Sequence, residues 1–242
     1  MKKLTISSVA LLFLGFAPLA LADEDPANIS GAGHWDIGAV EHEGALELEI
    51  GQHVVTNGVT NHTHYILDGS IINFNFGTNA KAPVTIGTNN LGSLWVTPPN
   101  EEAADTAGMP FIGFSAEELS ATNGWTGTVT FTMTGFSYTG TGSGNFFMFE
   151  EDNLFYDSTA GPGNFGSFSV GVGQHAHGEF GFSDAGLYEI TLMASGNNGA
   201  PVSGDPATFT FNVVPEPSTY ALLGLGAGAL ALLRWRKRNR QS

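Results

Sequence analysis

Short segments in which apolar and polar residues alternate restrict the fold of this chain more than any other feature. The clearest is ALELEI at 45–50, which places three aliphatic residues on one face and two glutamates on the other. An alternation of apolar and polar residues with a period of two is typical of a β-strand with one buried face. Comparable segments occur at 70–76, 83–86, 94–97, 125–133, 145–149, 154–156, 166–172, 177–182, 186–194 and 207–213. Their spacing of about 8–12 residues predicts an all-β fold, a single antiparallel β-sandwich of Ig-like or jelly-roll-like type.

Three local patterns refine this expectation. Ser115, followed three residues later by Glu118, has the spacing of a capping box and predicts a two-turn helix over 115–121. Tyr188 enters an alternating strand after a tight turn, which resembles the tyrosine corner of Ig-like sandwiches. The longest irregular segment, 98–123, is rich in acidic residues, and long loops on a sandwich are often functional. Its acidic residues are Glu101, Glu102, Asp105, Glu117 and Glu118.

The first 22 residues have the organisation of a secretory signal peptide. Lys2 and Lys3 form a positive region, an apolar run covers 11–17, and an A-x-A cleavage site lies at 20–22. We therefore expect a signal peptidase to cleave after residue 22, so that the mature chain begins at Asp23.

Residues 214–242 combine three features in a fixed order: a polar stop, an uncharged apolar run at 220–233 and a basic tail at 234–240. The apolar run makes a helix of about 21 Å, shorter than the ~30 Å hydrocarbon core of a bilayer. We expect a short transmembrane helix whose basic end stays in the cytoplasm. An ordinary tail anchor is the alternative, which the short helix disfavours. The residues of the stop and tail are Pro215, Glu216, Pro217, Arg234, Arg236, Lys237, Arg238 and Arg240.

This tail resembles the PEP-CTERM sorting signal of Gram-negative bacteria. The resemblance implies that an exosortase is the processing partner and that the chain is transiently an inner-membrane intermediate. It further implies a final location at the outer envelope, the cell surface or the extracellular matrix, where exopolysaccharide is a candidate partner.

Without its terminal segments the chain is strongly acidic. The full sequence has 8 basic and 23 acidic residues, but the body at 23–213 keeps only Lys81 and every acidic residue except Glu216, giving a net charge of −21. Such a surface repels phosphate groups, so nucleic acid is excluded as a partner. The chain has no cysteine, which excludes disulfides and thiolate ligands.

Histidines in pairs are the candidate ligands of a metal ion. All seven histidines lie in the body, and pairs with two-residue spacing share a strand face, ~7 Å apart. Imidazole and carboxylate ligands without sulfur suit Zn²⁺, Cu²⁺ or Mn²⁺. The alternative is three unrelated loop pairs, and no other cofactor is expected. The pairs are His34 with Asp36, His62 with His64, and His175 with His177.

A second resemblance covers most of the body. It rests on GHWDIG at 33–38, LWV-x-P at 94–98, IGF at 112–114, GQHAH at 173–177 and AGLY at 185–188. These motifs resemble the surface-anchored repeat domain of actinobacteria, also called choice-of-anchor M. Its members are surface or binding modules rather than known enzymes. The polar motifs correspond to His34, Asp36, His175 and His177, whereas His62 and His64 lie outside the matched pattern.

The expected function is that of an exported surface module, binding or structural and not catalytic. The sequence has no G-x-S-x-G, P-loop or H-E-x-x-H motif. One divalent ion held by His34, Asp36, His175 and His177 is the specific hypothesis. The first alternative is an adhesin or matrix protein with structural histidines that binds glycans through exposed aromatic side chains such as Trp35, Trp95 or Trp125. A metal-dependent hydrolase is the third.

Overall fold

The structure, a computed structural model, describes residues 25–56, 59–77 and 79–215, with the side chains of 53–62 and 215 left out. The predicted signal peptide, Glu216, Pro217, the apolar run 220–233 and the basic tail 234–240 lie outside the described residues. The described residues form seventeen strands, one α-helix, α1 (Glu101–Ala107), and two short 3-10 helices, Ala121–Asn123 and Ser158–Ala160. The strands are β1 (Asn28–Ile29), β2 (Gly33–His42), β3 (Ala45–Thr56), β4 (Val59–Ile66), β5 (Ile71–Gly77), β6 (Ala82–Ile86), β7 (Asn89–Val96), β8 (Pro110–Ser115), β9 (Trp125–Gly140), β10 (Phe146–Glu150), β11 (Asn153–Asp157), β12 (Ser167–Gly171), β13 (His175–His177), β14 (Glu179–Phe182), β15 (Gly186–Asn198), β16 (Pro201–Ser203) and β17 (Ala207–Pro215).

The described strands form three sheets, which confirms the predicted all-β class. The largest has the order β1-β5-β17-β15-β9-β12, with β16 added to β15, and the second has the order β11-β10-β14-β7-β6. The third, β13-β8-β2-β3-β4, carries the histidine motifs and is called the histidine sheet below. Most pairs are antiparallel, but β1 with β5, β5 with β17 and β2 with β8 are parallel. These three pairs depart from a purely antiparallel sandwich.

Aromatic side chains from all three sheets form the centre of the core. Phe74 on β5 is fully buried, and its ring lies 5.2 Å from Phe211 on β17 and 5.5 Å from Phe182 on β14. Phe114 of the histidine sheet lies 5.1 Å from Phe131 on β9 and 6.5 Å from Phe180 on β14. One aromatic cluster therefore joins all three sheets.

The helix predicted at 115–121 is wrong. Ser115 is instead the last residue of β8, aligned with His175, and its Oγ accepts a hydrogen bond from Glu117 N at 3.1 Å. The serine and the capping-box spacing thus begin a turn rather than a helix. A helix forms nearby as α1, where the Asn100 side chain accepts from Ala103 N and Gly108 ends the helix in the left-handed conformation.

The predicted tyrosine corner is confirmed. The Tyr188 hydroxyl donates to Asp184 O at 2.6 Å and accepts from Asp184 N at 3.0 Å. These hydrogen bonds hold the turn that leads into β15, the strand between β17 and β9.

Candidate metal centre

Two motifs that are distant in the sequence meet on one face of the histidine sheet. His34 and Asp36 lie on β2, and His175 and His177 lie on the edge strand β13. Strand β8 runs between them, with Gly113 aligned with Asp36 on one side and His177 on the other. Because side chains two residues apart share a face of a strand, the four predicted ligands project from the same surface.

Gly113 allows the two motifs to approach each other. A Cβ atom at this position would overlap Asp36 Oδ1 and lie 2.5 Å from His177 Cε1. The side chains of Asp36 and His177 thus lean over the glycine from both neighbouring strands. Any other residue at 113 would force them apart.

The imidazole rings of His34, His175 and His177 are close enough to share an ion. Their centroids are separated by 4.7 Å (His34 to His177), 5.3 Å (His175 to His177) and 5.6 Å (His34 to His175). One nitrogen from each ring lies within 4.8 Å of the others. Nitrogens bound at ~2.1 Å in a tetrahedral shell lie ~3.4 Å apart, so ligation requires each side chain to shift by less than ~1 Å.

Asp36 provides a buried carboxylate beside these rings. Its side chain is 2% exposed, and Oδ2 lies 3.5 Å from His34 Nε2. Asp36 also forms a second group with Glu117 and His175, in which the potential ligand atoms lie within 4.8 Å of one another. The carboxylate therefore stands between the three imidazoles and a set of acidic side chains.

Two further carboxylates lie close to the Nδ1 atoms of two of the rings. Glu117 Oε1 lies 2.9 Å from His175 Nδ1, and Glu101 Oε2 lies 3.7 Å from His34 Nδ1. At 2.9 Å, Glu117 can accept a hydrogen bond from His175 Nδ1, which leaves Nε2 of that ring as the ligand atom. This contact thus favours the tautomer that a metal centre uses.

The environment shifts the pKa values of two histidines in opposite directions. The contact with Asp36 raises the pKa of His34, burial opposes this, and Glu101 and Glu117 add to the increase. Burial lowers the pKa of His177, and the nearby His34 and His175 lower it further, although Asp36 acts in the opposite sense. His177 is therefore neutral at pH 7, the form in which imidazole binds a metal.

An aromatic side chain covers part of the cluster. The Phe111 ring stacks on His177, with centroids 4.2 Å apart and an interplanar angle of 17°. Its edge contact with His34 has a centroid distance of 5.6 Å. This apolar wall excludes water from one side of the imidazoles and strengthens electrostatic interactions there.

The third predicted pair takes a different place on the same sheet. His64 on β4 is separated from Asp36 by β3, with Gly51 aligned between them. His64 Nδ1 lies 3.0 Å from Glu49 Oε2, and Nε2 lies 3.9 Å from Glu118 Oε1. The backbone of His62 pairs with that of His53 in the ladder between β3 and β4. The structure therefore places His64 beside the three-imidazole group and not within it.

Sequence reasoning recognised the histidines but not the glutamates around them. Glu101, Glu117 and Glu118 lie in the acidic segment 98–123 that was expected to be a functional loop, and each contacts a histidine. Glu49 had been assigned only to the polar face of its strand. The large number of acidic residues in that segment was the signal available in the sequence. Which histidine each acidic residue contacts depends on the order of the strands.

The tryptophans proposed as exposed glycan contacts are buried to different degrees. Trp125 is only 1% exposed, and its Nε1 donates to Glu41 Oε2 at 2.6 Å, so its assignment as an exposed residue is wrong. The ring of Trp95 stacks on Phe76 and is half-buried. Trp35 is also half-buried and lies 6.1 Å from the Tyr65 ring.

A comparison with known protein families finds a match at the C-terminal end of the chain. A family model described as the PEP-CTERM protein-sorting motif matches residues 213–238. The chain carries this sorting signal. The signal indicates an exported surface protein that is targeted by an exosortase. Among the described residues, no helix is long and apolar enough to span a membrane, and the predicted helix at 220–233 lies outside them.

The body has no such counterpart. No curated protein and no solved structure matches the chain. The resemblance of the body to the choice-of-anchor M domain is therefore not supported by any homologue.

Proposed function

We propose that the body of this exported protein is a non-catalytic surface module that binds a divalent transition-metal ion through His34, His175 and His177, with Asp36 as the fourth ligand. The observation that supports this most directly is the approach of one nitrogen from each imidazole to within 4.8 Å of the others. Nitrogen and carboxylate ligands without sulfur suit Zn²⁺ or Cu²⁺ better than softer ions, with Mn²⁺ as a weaker candidate.

The donor set favours holding the ion over catalysis with it. Three imidazoles and one carboxylate fill a tetrahedral shell, as in structural sites, whereas catalytic zinc keeps an open position for water. The acidic body, with a net charge of −21 from Lys81 against all acidic residues but Glu216, also attracts cations to the surface.

Metal content tests this proposal. The full chain is purified in mild detergent, stripped with chelator, reloaded with Zn²⁺ or Cu²⁺ and analysed for bound metal. We expect His177→Ala to weaken binding about 100-fold or more, beyond the 10–100-fold typical of outer-shell partners. His42→Ala is the matched control, since His42 lies on the same strand as His34 but pairs with Glu47 at an exposed position. Equal metal content in the wild type and His177→Ala would contradict the proposal.

For the route of the protein, we propose a transient inner-membrane intermediate held by 220–233, followed by exosortase cleavage and association with the outer surface or its exopolysaccharide matrix. The match to the sorting motif at 213–238 supports this route. In a strain without the exosortase, mass spectrometry should find the tail still attached. Identical cleavage in both strains would rule the route out.

A glycan-binding role is the second candidate, favoured by one cavity. Trp35 and Tyr65 line a cavity of about 450 Å³ together with Asp25 and Asn28. Aromatic faces combined with a few polar groups suit the apolar faces and hydroxyls of a sugar. Trp35→Ala should then abolish retention on the cell's own exopolysaccharide, while Trp95→Ala should not. Unchanged retention in Trp35→Ala would exclude this role for the cavity.

A further inference from the structure

The last strand leaves the body at one end of the largest sheet, where several turns meet. β17 ends at Pro215, which pairs with Gly77 at the end of β5. On the other side of β17, Val213 pairs with Gly186 at the start of β15, and β9 ends opposite that residue at Gly140. This region, called the exit end below, comprises residues 77–81, 140–145, 183–187 and 213–215.

The exit end has no net charge, although the body has a net charge of −21 from Lys81 against all acidic residues but Glu216. Its charged side chains are Lys81 and Asp184, and Lys81 Nζ lies 3.5 Å from Asp184 Oδ1. The acidic helix α1 borders this end with its last turn, where Gly108 and Asn79 line one cavity. Asp184 also accepts hydrogen bonds from two backbone N–H groups at 3.0 and 3.1 Å, so Lys81 can contact a further anion without leaving that carboxylate unsatisfied.

Apolar and aromatic side chains lie beside this ion pair. Leu187 and Val214 are 43% and 41% exposed and are diagonal neighbours on the outer face of the sheet, a position in which side chains are about 7 Å apart. Lys81 Nζ lies 4.7 Å from the centre of the half-buried Trp95 ring, whose Nε1 donates to Asn79 O at 2.9 Å. A lysine and a tryptophan next to aliphatic side chains are typical of the membrane–water interface.

The length of the linker limits how far the exit end can lie from a membrane. Residues 216–219 separate Pro215 from the apolar run at 220–233. Four residues span at most about 14 Å, whereas a body of this length has a radius of gyration of about 16 Å. The body therefore cannot turn its opposite end toward a bilayer that holds the apolar run. The neutral exit end also reduces repulsion from anionic head groups, which acts within about 8 Å at physiological salt.

We propose that the exit end is a membrane-contact surface of the precursor, which touches lipid head groups while the apolar run is in the bilayer. Leu187 and Val214 then lie among the head groups, and Lys81, beside Trp95, contacts a lipid phosphate. This proposal rests on the inner-membrane intermediate proposed above and goes beyond it by assigning the side of the body that touches lipid. Once cleavage removes the tether, the acidic body is repelled from the same surface, so the contact ends with processing.

The absence of cysteine from the chain allows a single fluorescent label at a chosen position. The full precursor is reconstituted into vesicles of phosphatidylcholine and phosphatidylglycerol, labelled at Thr141→Cys in the exit end or at Ser203→Cys. Ser203 is exposed on β16 and pairs with Ser195, about 26 Å along β15 from Leu187. Nitroxide groups on the lipid heads quench labels at the bilayer surface, and vesicle flotation shows whether the chain is bound.

We expect the label at Thr141 to be quenched and the label at Ser203 to keep its fluorescence. Leu187→Glu should weaken the contact about fivefold or more, as expected for one charge near an anionic surface, and the Thr141 label should lose most of its quenching. Ile71→Glu is the control, because Ile71 is 37% exposed on the same face but lies about 13 Å from Val214 along the strands.

The outcomes separate the contact from the membrane intermediate. Equal quenching at Thr141 and Ser203 in floated vesicles, or unchanged quenching in Leu187→Glu, overturns the contact and leaves the intermediate intact. Failure of the chain to float overturns the intermediate and the contact with it. Quenching at Thr141 that requires exosortase in the vesicles assigns the exit end to that protein and overturns the lipid contact.

Discussion

Gly113 is the residue on which the approach of the two histidine motifs depends. Since a Cβ there would overlap Asp36 Oδ1, Gly113→Ala should push the side chains of Asp36 on β2 and His177 on β13 apart. We expect Zn²⁺ binding to weaken more than tenfold and the free energy of unfolding to fall by about 1–3 kcal/mol. Gly38→Ala on the same face is the control, because nothing lies within 4 Å of a Cβ at that position. Calorimetric titration and denaturant unfolding measure both quantities, and equal behaviour of the two variants would contradict this role.

A second residue-scale prediction concerns acid stability. Burial alone would raise the pKa of Asp184, but hydrogen bonds from Gly144 and Ser183 and the charge of Lys81 outweigh it and hold the pKa at about 2. Since this pKa lies below that of an unfolded aspartate, the stabilisation is complete above about pH 4 and is lost as the pH falls toward 2.

Thermal unfolding across this pH range checks the prediction. Asp184→Asn should be less stable than the wild type by about 1 kcal/mol at neutral pH, a small value because the side chain is partly exposed, and the difference should shrink toward pH 2. Asp105→Asn, at an exposed position on α1, is the control. A difference between Asp184→Asn and the wild type that is constant with pH would show that the carboxylate does not titrate as described.

The placement of paired histidines on one strand face was predictable at this scale, and their neighbours were not. A period-two pair such as His175 and His177 predicts its own shared face, because the geometry of one strand is local. The contact of Glu117 with His175 depends on the pairing of β8 with β13, which alternation in either segment does not specify. The contact of Glu117 with His175 could therefore be recognised only from the order of the strands in the sheet.

At the scale of elements, most strand positions followed from the sequence, but β2, β4 and β8 were not predicted, the last because it lies in the segment 98–123 that was expected to be irregular. Strand direction and the short helix were not predicted either. Apolar and polar residues alternate in the same way in parallel and antiparallel strands. The local sequence therefore did not indicate that β2 pairs with β8 in parallel. The capping pattern at Ser115 was overridden because that residue completes the ladder with β13, while the true helix α1 begins at Glu101 with Asn100 as its N-cap. Long-range pairing thus outweighed weak local propensity.

The aromatic cluster is the element-scale feature that joins the sheets, and Phe182 is fully buried within it. Phe182→Ala should lower the free energy of unfolding by about 3–5 kcal/mol through lost transfer energy and the cavity it leaves. Phe182→Leu should cost clearly less. Leu187→Ala, at a position that is 43% exposed, should change stability by about 0.5 kcal/mol or less. Denaturant unfolding measures all three, and equal effects of Phe182→Ala and Leu187→Ala would contradict the assigned role of the cluster.

At the scale of the whole molecule, the sorting signal and the proposed metal centre lie in different parts of the chain. Seven of its eight basic residues lie at 1–22 or 234–240, and Lys81 is the exception. The proposed processing would therefore change an acidic precursor into a more acidic surface protein, whose charge would attract cations. That division was readable from the sequence, because charge and hydropathy of terminal segments do not depend on the fold.

The sorting motif and the fold overlap, and this overlap limits where the chain can be cut. The motif begins at residue 213, whereas β17 continues to Pro215 between β5 and β15. Val213 is 2% exposed and pairs with Phe74 and Gly186, so cleavage before it would remove the end of an inner strand. We expect mass spectrometry of the processed protein to find a C-terminus at or after residue 215. In the matched control, a chain truncated after residue 215 should keep the thermal stability of the processed protein, whereas one truncated after 206 should lose it because β17 is missing. A native C-terminus before residue 213 would contradict the structural role of this strand.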